Sequence, residues 1–336
     1  MATILVVDDS ATDLDQLSAF LDGNFELLLA RSGAIALRII EKQPPDLVLL
    51  DIGMPDMDGF EVMERILANN STAKIPVIFL TSHVDPALEV RALDSGAVDF
   101  VTKPPNKHVL LSRINVQLQL STHNNSLERA VSDIEDSLIL SFANLIEMKD
   151  DCLRGHIAST IHFLDMLGRE LVKRGAFPDE LNHQTLKKMV RACAFRDIGK
   201  IGVSDNILLK RAPLTHEEYD QIKQHTLIGC RLVEKIQSRI SELDYLDFAR
   251  EIAECHHEHY DGTGYPRGLK GEEIPLAARI TSVVNVFDSC LSDRVYRKAL
   301  GRDEARGVIS SGRGTVFDPV IVDVFLDSPN ILNFPA

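Results

Sequence analysis

The densest group of chemically capable side chains in this sequence lies at residues 256–266, which read HHEHYDGTGYP. Three imidazoles, those of His256, His257 and His259, fall within four residues. Neutral imidazole is the commonest side-chain metal ligand, and the glycine-rich loop behind it supplies turns that let a ligand approach the backbone. A solvated, histidine-rich helix end is the alternative. The elements that would position these side chains therefore have to be found elsewhere in the chain.

Length and composition set the outer limits. The 336 residues predict about two domains, and 45% apolar with 26% charged residues is ordinary for a soluble globular protein. No apolar run reaches the ~18 residues of a membrane span, so we expect a cytoplasmic protein without membrane association. A net charge of −14 argues against a broad DNA-binding surface. Five separate cysteines argue against disulfides and against a cysteine-type zinc site.

Residues 1–121 alternate short apolar runs with stretches of helical spacing. This pattern predicts a doubly wound α/β domain with a parallel five-stranded sheet. Carboxylates, a hydroxyl and an ammonium follow the carboxyl ends of the strands, where such sheets bind ligands, and carboxylates there suit Mg²⁺. The predicted strands are Ile4–Asp8, Phe25–Leu29, Leu47–Asp51, Val77–Thr81 and Asp99–Thr102.

The polar motifs at these strand ends resemble the receiver domain of two-component response regulators. The residues that carry the resemblance are Val7-Asp8-Asp9-Ser10, Leu50-Asp51, Met54-Pro55-Asp56, Leu80-Thr81-Ser82 and Thr102-Lys103-Pro104. The resemblance implies that Asp51 accepts a phosphoryl group from a sensor histidine kinase and that Asp8 and Asp9 hold Mg²⁺ with it. It further implies that Thr81 and Lys103 contact the phosphoryl group and that Phe100 is the aromatic switch.

A connecting helix is predicted next, because residues 107–149 contain neither glycine nor proline. We place the connecting segment proper at residues 122–146. Its apolar residues Leu127, Val131, Ile134, Leu138 and Leu145 form a coiled-coil seam of little more than two heptads, which Ser141 interrupts. A parallel homodimer and a helix packed within its own chain are equally compatible with this seam.

Residues 147–336 show helical spacing, so an all-α domain should follow the helix. In such a domain, scattered ligands can project inward onto one site. The candidate ligands are His156, Asp197, His225, His256 and His257.

This second region resembles the HD-GYP domain, whose members hydrolyse the second messenger cyclic di-GMP at a two- or three-metal centre. The matching motifs include His156, Asp197-Ile198-Gly199-Lys200-Ile201, His225, His256-His257-Glu258, Asp261-Gly262-Thr263-Gly264-Tyr265-Pro266 and Phe317-Asp318-Pro319. The resemblance implies that the nucleotide is contacted by Lys200, Gly264, Tyr265, Asp288, Arg294 and Arg297.

Three positions depart from the HD-GYP pattern. Arg196 stands where the family has its namesake histidine, Asn285 where it has an aspartate ligand, and Cys152 where some members have a third-metal glutamate. The first metal site, which His156 and Asp197 would share with the two replaced ligands, loses half its members. We therefore expect at most one transition metal (Fe, Mn or Zn), held through Asp197, His225 and His256 or His257.

Three functions follow from these residues. The first is a phosphorylation-controlled response regulator with a degenerate HD-GYP domain that binds cyclic di-GMP, or a signalling partner, with little or no hydrolysis. The second is an active phosphodiesterase with an altered metal centre. The third is an interaction module that contacts a diguanylate cyclase domain and needs no nucleotide.

Overall fold

The computed structural model describes residues 1–69, 71–82, 86–149, 156–210, 212–240, 243–293 and 298–332. The chain divides into two compact units, Met1–Val131 and Ser132–Ala336. The predicted fold class is confirmed: the first unit holds a five-stranded parallel sheet, and the described part of the second is helical and contains no strand. None of the described helices is both long and apolar enough to cross a membrane.

The sheet of the first unit has the strand order β2-β1-β3-β4-β5, and all four neighbouring pairs are parallel. Three of the predicted strands have the predicted bounds, and the first two are displaced by one residue. The strands are β1 (Thr3–Val7), β2 (Glu26–Ala30), β3 (Leu47–Asp51), β4 (Val77–Thr81) and β5 (Asp99–Thr102).

Alternate strand residues feed two apolar layers, one on each face of the sheet. In β1, Leu5 and Val7 join one layer and Ile4 and Val6 the other. Since successive side chains of a strand point to opposite faces, a wholly apolar strand has to be covered on both sides. The covering helices of this unit are α1 (Ala11–Leu21), α2 (Gly33–Lys42), α3 (Gly59–Leu67), α4 (Pro86–Asp94) and the beginning of α5 (Lys107–Lys149).

Helix α5 runs without interruption over the predicted range and contributes residues to both units. Within the second unit it packs against the core through Ile139 and Ala143, and Ile146 is buried as well. The seam predicted from the sequence does not make these contacts: Leu127, Val131, Ile134, Leu138 and Leu145 are all exposed.

The second unit surrounds one large apolar core with helices. Two short 3-10 helices, at Cys193–Phe195 and Ile198–Gly202, flank Arg196 and Asp197. The α-helices are α6 (His156–Lys173), α7 (His183–Ala192), α8 (Asp205–Leu208), α9 (His216–Gln237), α10 (Leu246–Cys255), α11 (Leu276–Leu291), α12 (Arg302–Ser311), α13 (Pro319–Leu326) and α14 (Pro329–Leu332), and a third 3-10 helix lies at Gly271–Glu273.

Candidate functional site

An acidic pocket lies at the carboxyl ends of β1 and β3. Carboxylate oxygens of Asp8, Asp9 and Asp51 all lie within 4.8 Å of one another, close enough to share one cation. The ammonium of Lys103, just after β5, lies 2.6 Å from Asp8 Oδ2, 2.7 Å from Asp51 Oδ1 and 3.1 Å from Asp13 Oδ2. Asp13, in the first turn of α1, was not among the residues predicted from the sequence, although the N-cap that starts this helix was a readable signal.

Burial and charge work against each other in this pocket. Burial raises the pKa of Asp8, and the hydrogen bond from Lys103 offsets only part of that effect. Burial by itself would lower the pKa of Lys103, but Asp51 and Asp8 hold it above its ordinary value. The lysine therefore stays charged and balances the carboxylates.

The remaining receiver positions flank the pocket. Thr81 is buried at the end of β4, and Phe100 is half-buried in β5. The loop after β3 folds back on the phosphoacceptor strand at Gly59, where an added Cβ would lie 2.6 Å from the carbonyl oxygen of Asp51. Only glycine permits so close a backbone approach.

A second group of ligands forms where α9 meets the end of α10. Ring nitrogens of His225, His256 and His257 lie within 4.8 Å of one another. Nδ1 of His225 lies 2.7 Å from the carbonyl oxygen of Ile222, and Nδ1 of His256 lies 2.8 Å from that of Ile252. A carbonyl only accepts, so both Nδ1 atoms carry the proton and both Nε2 atoms present a lone pair, as in metal-binding histidines.

His256 and His257 are neutral at physiological pH. Burial lowers the pKa of His256 to about 3 and holds that of His257 well below its ordinary value. Nε2 of His256 is buried and has no hydrogen-bond partner among the described residues. An unsatisfied lone pair beside two further imidazoles suits a transition metal better than it suits a packed core.

Asp197 stands beside this cluster, held by two cations. Its Oδ1 lies 3.1 Å from Lys200 Nζ and 3.7 Å from His225 Nε2, and its Oδ2 lies 3.3 Å from Arg196 Nε. Burial would raise the pKa of Asp197, but Lys200 and then Arg196 hold it well below its ordinary value. The carboxylate is therefore ionised and already largely neutralised by protein charges.

Arg196 is only 1% exposed and is the largest fully buried side chain among the described residues. Burial works against its charge, yet Asp197 and other neighbours keep the pKa of the guanidinium above its ordinary value. Its Nε and Nη1 atoms have no hydrogen-bond partner in the described part of the chain. A permanent positive charge is thus buried next to the histidine cluster.

Glycine 199 makes the approach of Asp197 to His225 possible. A Cβ at this position would lie 1.8 Å from the carbonyl oxygen of His225 and 2.5 Å from the amide nitrogen of Gly229. The 3-10 helix that follows Asp197 therefore presses directly against the backbone of α9.

The loop after the cluster is shaped by its own backbone. An added Cβ at Gly264 would lie 2.2 Å from the amide nitrogen of His259, and the ring of Tyr265 stacks on His257 with centroids 4.8 Å apart. Glu258, buried, accepts backbone N–H bonds from Arg267 at 2.7 Å and Leu269 at 3.1 Å, so its carboxylate organises the loop.

Comparisons with known proteins match both units. The response regulator receiver domain family matches residues 4–115, and the HD domain family matches residues 141–321, more than half of the chain. A probable cyclic di-GMP phosphodiesterase of Vibrio cholerae is 38% identical over 96% of this chain and 77% of its own length. The chain belongs to the family of response regulators that join a receiver to an HD-GYP domain. The family predicted from the sequence is confirmed.

Two further relatives are similar to this chain in sequence. The cyclic di-GMP phosphodiesterase response regulator RpfG of Xanthomonas campestris is 36% identical over 84% of this chain and 75% of its own length. A cyclic di-GMP phosphodiesterase of Thermotoga maritima is 31% identical over 96% of this chain and 89% of its own length. Receiver domains bind Mg²⁺ and accept phosphoryl groups from histidine kinases, and HD domains bind divalent metals.

Two HD-GYP motif residues, His156 and Asp288, contact each other inside the domain. The carboxylate oxygens of Asp288 accept hydrogen bonds from Ser159 Oγ at 2.7 Å and Thr160 Oγ1 at 2.7 Å, and Oδ2 lies 3.0 Å from His156 Nδ1. The hydrogen bonds of the Asp288 carboxylate are thus made inside the domain, and they position His156. His156 itself is not part of the three-histidine cluster among the described residues.

The other motif residues either make contacts within the second unit or lie outside the described residues. His259 is bonded to Thr263 and stays outside the cluster, so only two of the three neighbouring imidazoles belong to it. Arg279 and Asp318 form a buried ion pair of 2.7 Å that ties α11 to the start of α13. Asn285 is half-buried on α11. Cys152, Arg294 and Arg297 lie outside the described residues.

Proposed function

We propose that this protein is a response regulator of cyclic di-GMP signalling that is controlled by phosphorylation of Asp51 and binds cyclic di-GMP with little or no hydrolysis. The relatives named as cyclic di-GMP phosphodiesterases support the choice of ligand. The observation that carries the loss of hydrolysis is the buried guanidinium of Arg196, 3.3 Å from Asp197.

In the receiver, a histidine kinase would donate the phosphoryl group to Asp51. Asp8 and Asp9 would hold Mg²⁺ with Asp51, since hard carboxylate oxygens are the ligands that Mg²⁺ prefers. The hydroxyl of Thr81 and the ammonium of Lys103 would bind the transferred group. The half-buried Phe100 would act as the aromatic switch that responds to phosphorylation of Asp51.

Electrostatics explains why Arg196 is incompatible with the family's paired metals. A divalent ion about 4 Å from a guanidinium is repelled by about 8 kcal/mol at an effective dielectric constant of about 20. Arginine cannot lose its proton to relieve this repulsion. Arg196 therefore takes over the neutralisation of Asp197 that a metal would provide, and Asn285 contributes no anionic ligand in return.

The remaining ligands suit one transition metal. His225, His256 and His257 would hold it, and Asp197 is the nearest carboxylate to His225. Nitrogen ligands with a carboxylate fit Fe, Mn or Zn. Bound there, a single ion would supply a Lewis acid, whereas the family's hydrolysis uses paired ions to generate and place the nucleophile.

The nucleotide contacts are proposed on the same face of the domain. Lys200 offers an ammonium beside Asp197, and Gly264 and Tyr265 form the wall next to His257. Arg294 and Arg297 remain in the proposal through their place in the family motif. Lysine and arginine bind phosphate, arginine with two parallel hydrogen bonds.

Active hydrolysis is the second candidate, because the three relatives quoted above are named as phosphodiesterases. Calorimetry with cyclic di-GMP and chromatography of the linear and mononucleotide products separate the candidates. We expect wild type to bind without turnover and Arg196→His with Asn285→Asp to hydrolyse, since these changes complete four ligands with His156 and Asp197. In that variant, Asp288 would keep His156 Nδ1 protonated and leave Nε2 for the ion.

The control for this experiment is Arg196→Lys with Asn285→Asp. It restores the carboxylate but retains a cation, so it should remain inactive. Robust hydrolysis by wild type would establish the active phosphodiesterase. No binding by wild type or by the histidine variant would favour the nucleotide-independent module that contacts a diguanylate cyclase domain.

Metal binding has a matched pair of variants within one loop. His256→Ala should remove the transition metal found by elemental analysis after chelation and refilling, and His259→Ala should not, because His259 lies outside the cluster. Wild type should hold one ion per chain at most in the HD-GYP domain. Two ions there would mean that the repulsion from Arg196 is relieved.

A further inference from the structure

A line of exposed apolar side chains runs along one side of α5. Their exposed fractions lie between 51% and 69%. Asn124 and Ser141 occupy the two polar positions of the line, which has the 3-and-4 spacing of a heptad seam over about four heptads. The apolar members are Leu120, Leu127, Val131, Ile134, Leu138, Leu145 and Met148. We call these nine residues the α5 seam.

The α5 seam is not the face by which the helix packs in its own domain. Ile139, Ala143 and Ile146 make or adjoin the core of the second unit. At 3.6 residues per turn, Ile139 and Ile146 lie about 100° around the helix from their seam neighbours Leu138 and Leu145, on an adjacent face. The helix therefore has two apolar faces, and its own domain covers only one of them. An exposed apolar surface of this length marks an interaction site.

We propose that a second copy of this chain covers the α5 seam and that the two helices form a parallel, in-register coiled coil. A heptad seam is complementary to itself, because the residues at its a and d positions fill the holes of an identical helix. With Leu127 at d, Asn124 falls at a. In the parallel pair each Asn124 meets its counterpart, the arrangement in which a buried asparagine fixes register and orientation.

The residues that flank the seam favour the parallel orientation. In a parallel pair, the e position of each helix faces the preceding g position of the other. Glu135 would then face Ala130, so no like charges meet there, and carbonyl oxygens of its own unit hold the ammonium of Lys149. An antiparallel pair that matches Asn124 with Ser141 would instead place Glu128 opposite Glu135 twice, and like charges at that distance repel.

The first test is the mass of the full chain in solution, measured by light scattering during gel filtration. Wild type should be a dimer at micromolar concentration. Leu138→Glu should weaken the dimer by at least about 100-fold, since it buries an unpaired charge. Leu140→Glu is the control: this leucine is 42% exposed on the same helix but lies off the seam, so the variant should remain dimeric. A monomeric wild type, or a Leu138→Glu dimer of wild-type affinity, would overturn the proposal.

The second test establishes orientation by disulfide formation under mild oxidation. Ser141→Cys should cross-link efficiently, because Ser141 faces its counterpart only in the parallel pair. Ser126→Cys, an exposed position off the seam, should cross-link no more than wild type. Both changes replace surface serines and leave the fold intact, which circular dichroism checks. A dimer in which Ser141→Cys does not cross-link would refute the parallel register.

Discussion

Gly199→Ala should damage both the stability and the metal site of the second unit. The new Cβ would lie 1.8 Å from the carbonyl oxygen of His225 and 2.5 Å from the amide of Gly229. All the nearest atoms belong to the backbone, so no side-chain rotation relieves the overlap. The 3-10 helix and α9 would have to separate by about 1.5 Å to restore ordinary contact distances in a close-packed interior.

This separation has a cost that can be estimated. Overpacking of a rigid interior costs about 1–3 kcal/mol, and the overlap here is with backbone, so we expect a loss of about 3 kcal/mol in the free energy of unfolding. For a domain of roughly 200 residues this lowers the melting temperature by about 6–12 °C. Displacement of Asp197 from His225, now 3.7 Å apart, should also weaken metal binding by about 10-fold or more.

The assay is thermal and urea unfolding of the full chain, with metal content measured in parallel. The transition of the receiver unit provides an internal reference that should not move. Gly307→Ala is the matched control: it lies in α12 with nothing within 4 Å of its added Cβ, so alanine should stabilise by about 0.5–1 kcal/mol. If Gly199→Ala unfolds like wild type and keeps its metal, the close approach of the two segments does not build the site.

Four further outcomes are expected. Acetyl phosphate with Mg²⁺ should add one phosphoryl group to the intact mass, and Asp51→Asn should abolish the gain; labelling that survives the change would identify another acceptor. Lys103→Met should tighten Mg²⁺ binding in a titration, because an ammonium 2.6–2.7 Å from two carboxylates competes with the cation; unchanged affinity would argue against that competition. The folded pKa of His256 is about 3, below the ~6.5 of an unfolded histidine, so the unfolded state binds more protons between these values. The free energy of unfolding of the metal-free protein should therefore fall as pH falls through this window, by up to about 1.4 kcal/mol per unit, and His256→Gln should flatten the slope in urea titrations. Asp318→Asn should cost about 3–5 kcal/mol by leaving the buried Arg279 without its carboxylate, which denaturant unfolding would measure; a change below 1 kcal/mol, on the order of a surface pair, would mean that water compensates the charge.

The receiver pocket was predictable because its residues are placed by local rules. Short apolar runs such as Leu47–Asp51, alternating with stretches of helical spacing, indicate buried parallel strands, and the carboxyl ends of such strands meet at one edge of the sheet. Asp8, Asp51 and Lys103 therefore converge whatever the details of packing. Asp13 was not predicted because its side chain reaches the pocket from the first turn of α1 and not from the end of a strand.

For the histidine cluster of the second unit, the sequence predicted which residues take part but not how they are arranged. Sequence patterns proposed His225, His256 and His257, and these three come together. The nearby His259 carries the same chemistry and is excluded, because the loop turns it toward Thr263. The fold keeps His259 away from the cluster although it is close to His256 in sequence, and it brings His225 into the cluster from α9.

What the sequence alone determined is local: the strands to within one residue, the uninterrupted run of α5, the ligand types and, through the family motif, the replacement of a histidine by Arg196. What tertiary structure decided is which of those residues meet. Asp288 contacts His156, which the sequence did not predict, and the seam of α5 faces solvent while Ile139 and Ala143 pack inward. Spacing along the chain fixes which side chains share a face, but only the packing of distant backbones, such as Gly199 against α9, fixes what that face meets.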